Sequence, residues 1–149
     1  MSIRTTIALL CAPLLASTVA ACGATTSVST SAFKGEQQKV AQAVAHLQSH
    51  ATALEAKKIC GEDLAAARVA QLNAAPGRCK QAIESQLKQI DSFETTVESV
   101  TIAPAGATAT ARVKSVVAGK KAVQVVGFVK EGGKWRISGL PVVHKPIAG

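Results

Sequence analysis

The stretch TVESVTIAPAGATATARVKSVVAGKKAVQVVGFVKEGGKWRISGL, residues 96–140, decides the fold of this chain. It is rich in Val, Thr, Ile and Ala, and apolar residues alternate with polar ones along much of its length, which is typical of strands with one buried face. Short turns divide it into four predicted strands, at residues 96–103, 107–117, 122–130 and 135–140. Strands joined by such short turns form an antiparallel meander.

The sequence before this sheet shows helical spacing. Within residues 34–58 the strongest apolar positions are three or four residues apart and share one face of a helix: Val40, Val44, Leu47, Ala51 and Leu54. After a break at Cys60, a second helix is predicted at residues 64–72, with Asp63 as its helix-start residue, and a third begins near Arg78. Helices followed by a meander predict an α+β fold, with two or three helices packed on one face of a sheet of about four strands.

Length and composition limit the classes of function. The chain has 149 residues, enough for one domain, and 48% of them are hydrophobic, which excludes a disordered chain. Seventeen Lys and Arg against nine Asp and Glu give a net charge of +8, but aromatic residues make up only 3% and tyrosine is absent. Such a chain is poorly equipped to stack nucleic-acid bases, so we expect no nucleic-acid partner.

The N-terminus has the three parts of a secretory signal peptide: the positive charge of Arg4, a short apolar core, and a run of small residues. That run ends in VAAC, residues 19–22, which resembles the bacterial lipobox, whose cysteine thiol takes a diacylglyceryl group before cleavage on its N-terminal side. Cys11 follows a bulky leucine, so only Cys22 fits this motif. The alternative is an ordinary signal peptide cleaved nearby, which leaves Cys22 as a free thiol.

The lipobox interpretation divides the chain into a lipoprotein signal peptide (residues 1–21), a lipidated flexible tether (residues 22–33) and a single α+β domain (residues 34–149). Two acyl chains suffice for stable anchoring without a spanning helix. We therefore expect a lipid-anchored protein on the extracytoplasmic face of a bacterial cell membrane, with the bilayer as its partner through acylated Cys22.

Two cysteines remain in the domain after processing. Cys60 and Cys79 form an even pair in an exported protein, where the compartment favours oxidation, so a disulfide between them is predicted. A zinc site is the alternative, because His46 and His50 are four residues apart on one helix and could join the two cysteines as ligands. We expect no metal, since half-exposed histidines on a helix need no ligand.

The order of elements and the last hairpin resemble a known superfamily. Helices first, a curved antiparallel sheet and the hairpin GFVKEGGKWRISGL, residues 127–140, are similar to the cone-shaped nuclear-transport-factor-2-like superfamily, in particular its small secreted bacterial lipoproteins of unassigned function. The similarity covers about residues 34–143. That superfamily usually places a short strand between its second and third helices, and the Pro-Gly pair within residues 72–79 departs from this pattern. The alternative fold is a cystatin-like helix-plus-meander domain.

Enzymes with the resembled fold place an acidic base and a hydrogen-bonding acid inside the cone. The sheet region here supplies only Glu98 and Glu131 as carboxylates and no tyrosine. We therefore expect a non-catalytic protein, without a cofactor, that binds a small apolar ligand or a protein partner. The predicted ligand-binding residues are the bulkiest groups of the last two strands: Val125, Phe128, Trp135 and Ile137.

Two alternative functions remain open. One is an isomerase or hydrolase of the cone fold. The other is a cationic domain that binds anionic headgroups or wall polymers through its lysines: Lys57, Lys58, Lys114, Lys120, Lys121 and Lys130.

Overall fold

A computed structural model describes residues 29–90, 92–117 and 119–139. The predicted signal peptide, the lipidation residue Cys22 and residues 140–149 lie outside these described residues, as does most of the tether. The helical part consists of α1 (Gly35–Thr52), α2 (Ala56–Lys58), a π-helical segment (Ile59–Asp63), α3 (Ala66–Leu72) and α4 (Arg78–Leu87). The strands are β1 (Phe93–Ile102), β2 (Thr108–Val117), β3 (Lys120–Glu131) and β4 (Lys134–Gly139).

The strands form one antiparallel sheet in the order β1-β2-β3-β4, which confirms the predicted α+β meander. The alternation is clearest in β2, where Ala109, Ala111 and Val113 are buried while Thr110 and Arg112 are exposed. The register shifts at Glu98 in β1 and at Ser138 in β4, each of which is left out of the pairing, and an irregularity of this kind bends the strand that carries it.

The core lies between one face of the sheet and the helices. Helix α1 packs across β1 and also meets β2 and β4. The largest fully buried side chains are Phe128, Leu64, Ile137 and Val40. Leu64 also makes an isolated parallel bridge with Ile137, and the Ala65 N–H donates to the Ile137 carbonyl over 2.9 Å. The chain between the π-helical segment and α3 therefore lies along the edge of β4.

The region after α1 differs from the sequence prediction. Helix α1 ends at Thr52, and Leu54, which was predicted to share the buried face, has a φ of 57° and is 62% exposed. The reason is local: the Glu55 N–H donates to the His50 carbonyl, so the chain turns and the helical period no longer applies. The chain then stays helical through Cys60, where a break was predicted, and Asp63 ends the π-helical segment instead of starting α3.

The structure pairs Cys60 of the π-helical segment with Cys79 of α4, with their Cα atoms 6.2 Å apart. This distance suits a disulfide, whose Cα atoms usually lie within about 7 Å. Both thiols are used in this bond, so they cannot join His46 and His50 in the alternative zinc site. The bond attaches the π-helical segment to α4.

Candidate functional site

An apolar cavity of about 160 Å³ lies where the helical layer meets the start of the sheet. Eight of its nine lining residues are apolar and the ninth is Gln86; the apolar ones are Leu47, Ala51, Ile59, Leu64, Ile83, Leu87, Ile90 and Phe93. None of the nine titrates. The cavity can therefore accept an apolar group, but its lining offers no acid or base.

The helical stripes recognised in the sequence position most of this lining. Leu47 and Ala51 come from the buried face of α1, and Ile83 and Leu87 lie one turn apart on α4. The disulfide holds the π-helical segment, with its Ile59, beside α4. The width of the cavity thus depends on a covalent link as well as on packing.

The four residues predicted to bind a ligand do not line one cavity. Phe128 and Ile137 are 1% and 0% exposed and belong to the packed core. Val125 is 56% exposed on the opposite face of β3, because it lies three positions before Phe128 and successive side chains of a strand point to opposite faces. Trp135 is buried, but it borders a second pocket of a different character.

This second pocket, which we call the polar pocket, has a volume of about 290 Å³. It lies between the solvent-side face of α1, the end of the π-helical segment and the β3–β4 hairpin. Charged and polar side chains supply much of its wall: Lys39, Gln42, His46, Glu62, Asp63 and Lys134. Trp135 supplies the aromatic part.

A buried histidine–aspartate pair borders the polar pocket, and Asp63 is part of its lining. The Nδ1 atom of His50 donates to Oδ2 of Asp63 over 2.8 Å, and the Asp63 side chain is only 4% exposed. Burial raises the pKa of the Asp63 carboxyl, and the hydrogen bond from His50 and the charge of nearby His46 oppose this rise. The sequence does not reveal this pair, because its members are thirteen positions apart and no local motif joins them.

Glu36 fixes the tryptophan wall of the polar pocket. Its carboxylate accepts hydrogen bonds from Lys39 Nζ at 2.7 Å, Lys130 Nζ at 2.9 Å and Trp135 Nε1 at 2.7 Å. Lys39, Lys130 and Trp135, in that order of strength, lower the pKa of Glu36 to about 2. The start of α1 is thereby attached to β3 and β4.

The six lysines of the cationic alternative do not form one surface. Lys130 pairs with Glu36 and Lys58 pairs with Glu55. Lys114 and Lys121 project from the helix-free face of the sheet, and Lys57 lies on α2. The positive charge is therefore spread over several faces of the domain.

Comparisons of the chain with protein-family models, curated proteins and solved structures found no match. Within the part of the chain that the structure describes, no group of three or more His, Cys, Asp or Glu side chains is arranged to hold a metal ion. None of the described helices is both long and apolar enough to cross a membrane.

Proposed function

We propose that this protein is an envelope lipoprotein, held on the extracytoplasmic face of a bacterial cell membrane by acylated Cys22, whose domain binds a small apolar ligand without catalysing a reaction. The apolar cavity carries this proposal. Its volume is about 160 Å³, and a cavity of about 150 Å³ lined by Leu, Ile and Phe in another protein binds benzene. The ligand group is accordingly an aromatic ring or a short alkyl chain.

The expected affinity follows from the size of the cavity. A group of about six carbon atoms gains about 5 kcal/mol when it leaves water, at about 0.8 kcal/mol for each buried CH₂, which corresponds to a Kd of about 0.2 mM. A polar part of the ligand outside the cavity would add to this affinity, and Gln86 is the hydrogen-bonding side chain in the lining. Because the lining has no titratable side chain, a binding role suits it better than acid–base catalysis.

We also propose that the domain is a cone of the nuclear-transport-factor-2-like type. A cone of the nuclear-transport-factor-2-like type has helices first and then a meander, and it usually has a short strand between its second and third helices. The parallel bridge between Leu64 and Ile137 lies just before α3, and it supports this assignment because it adds backbone pairing at the edge of β4. The Pro-Gly segment, residues 75–77, forms turns instead of a strand.

The ligand proposal is tested by NMR titration of the isotope-labelled protein with toluene. We expect shifts at the methyl groups of Ile83 and Leu87, and we expect Ile90→Trp, which places a larger side chain at a half-buried residue of the lining, to abolish them. Val125→Trp on the exposed face of β3 is the matched control and should leave toluene binding unchanged. The proposal fails if toluene moves none of these methyl signals, or if Ile90→Trp binds it as well as the natural chain does.

The anchor is tested separately by partition between detergent and aqueous phases. Because two acyl chains give stable anchoring, the natural protein should enter the detergent phase and Cys22→Ala should move to the aqueous phase. Cys11→Ala is the matched control, since its neighbours do not fit the lipobox. A Cys22→Ala variant that still partitions into detergent would refute lipidation at this residue.

A further inference from the structure

The polar pocket contains charges of both signs that the protein leaves unmatched. Among the described residues, neither Glu62 nor Lys134 has an ion-pair partner within 4 Å, although both line this pocket. They do not pair with each other either, so space remains between them. A ligand that carries both a cation and an anion would meet both charges.

Asp63 is the buried carboxylate on the acidic side of the pocket. A carboxylate can accept about four hydrogen bonds, but Asp63 receives one, from His50 to Oδ2, among the described residues. The side chain is 4% exposed, and Oδ1 is not among the buried atoms that lack a partner, so this oxygen keeps contact with solvent beside the pocket. A buried carboxylate with an open oxygen beside a pocket favours a ligand with N–H donors, and charge-assisted bonds of this kind are the strong ones.

The rest of the wall sets the size and the polarity of the ligand. Trp135 is held by its bond to Glu36 and presents an apolar surface, while Lys39 is itself engaged by Glu36. Lys134 is therefore the cation available for an anionic group. The volume of about 290 Å³ suits a compound of amino-acid size.

From this arrangement we infer that the polar pocket binds a small zwitterion, a compound with a primary ammonium group at Asp63 and Glu62 and a carboxylate at Lys134. This site is separate from the apolar cavity, and it involves no lipid anchor. It is therefore independent of the proposed function.

The test uses three probes of matched chain length: 5-aminopentanoate (zwitterion), pentylamine (cation only) and pentanoate (anion only). The chain has a single tryptophan, Trp135, so the fluorescence and the indole N–H signal both come from the wall of the polar pocket. Titrations are made with the full chain in detergent micelles, and every variant is measured in the same micelles. We expect 5-aminopentanoate to bind tightest, pentylamine more weakly, and pentanoate not at all.

Variants distinguish the two ends of the ligand. Asp63→Asn keeps an oxygen for His50 but loses the charge, and should weaken both amines about ten-fold or more, as expected for loss of a charge-assisted bond. Glu62→Gln, at an exposed position, should weaken both amines by a smaller factor and keeps the test valid if Asp63→Asn unfolds. Lys134→Ala should reduce 5-aminopentanoate to the affinity of pentylamine, while Lys57→Ala on α2 should change nothing.

Three results would overturn the inference. The first is that no probe changes the Trp135 signals. The second is that pentanoate binds as tightly as 5-aminopentanoate, which would assign the pocket to anions. The third is that neither Asp63→Asn nor Glu62→Gln weakens the amines. Failure of toluene to bind would leave all three readouts unaffected, so the two proposals are tested separately.

Discussion

The apolar cavity and the polar pocket lie on two sides of the same π-helical segment, Ile59–Asp63, and are held in different ways. Ile59 faces the apolar cavity, whose shape depends on buried side chains and on the Cys60–Cys79 bond. Asp63 faces the polar pocket, whose walls are positioned by hydrogen bonds to His50 and Glu36. A short π-helical segment can therefore serve two chemically different sites, and such segments are frequent at functional sites.

Loss of the disulfide should have the largest effect on stability, and of the two sites it should alter mainly the apolar cavity. The bond closes a loop with a sequence separation of 19, so the Cys60→Ala, Cys79→Ala double variant should lose about 3 kcal/mol of unfolding free energy. Urea unfolding measures this loss, and reduction of the natural protein should reproduce it. Toluene binding should weaken in the same variant, because the π-helical segment is no longer held beside α4. Equal stability of the reduced and oxidised proteins would contradict this account.

Removal of His50 should have an intermediate effect on stability, and it should act through the Asp63 side of the polar pocket. His50→Ala leaves the buried Asp63 carboxylate without its hydrogen bond and should cost about 1–3 kcal/mol in unfolding free energy. Asp63→Asn should cost less than about 1 kcal/mol, because it removes the buried charge together with its desolvation. His46→Ala, at an exposed position on the same helix, is the control and should change stability little.

The same pair predicts a pH dependence with a definite sign. Burial raises the pKa of Asp63, so the folded protein holds this proton more tightly than the unfolded chain does. This carboxyl therefore favours folding more as pH falls through its folded-state pKa. Unfolding free energies of the natural protein and Asp63→Asn, measured from neutral to acidic pH, should show the natural protein gaining relative to the variant. The opposite trend would show that the charge of His50 outweighs burial.

Glu36 should show the smallest effect on stability, with the opposite dependence on pH. Its pKa is lowered to about 2 from an ordinary value of 4.5, so its contribution is complete above pH 4.5 and disappears as pH falls towards 2. Glu36→Gln should therefore differ from the natural protein at neutral pH and match it near pH 2, by urea unfolding. Trp135 fluorescence should change in this variant, whereas Glu84→Gln, which removes a surface pair with Lys80, should leave it unchanged. A Trp135 signal insensitive to Glu36→Gln would contradict the role of Glu36 in the pocket wall.

The sequence by itself determined the four strands, the start of the last helix and the layer order, because these depend on patterns between near neighbours. The strand predicted at residues 107–117 is observed as Thr108–Val117, and the helix predicted to begin near Arg78 begins there. Alternation also separated Val125 from Phe128 by face. These features follow from the periods of two and 3.6 residues, which any strand or helix imposes on its side chains.

Only the tertiary structure decided where the two sites lie. Leu54 has the helical spacing but lies beyond the end of α1, where it is exposed. Asp63 is a residue type that favours helix starts, yet it is a buried partner of His50. Phe128 and Ile137 are bulky and lie on the face of the sheet that meets the helices. The helices cover them, so they fill the core instead of lining a cavity. Whether a side chain is covered, paired or left facing a pocket depends on contacts between distant parts of the chain. Local periodicity carries no information about such contacts, because many different packings satisfy the same pattern.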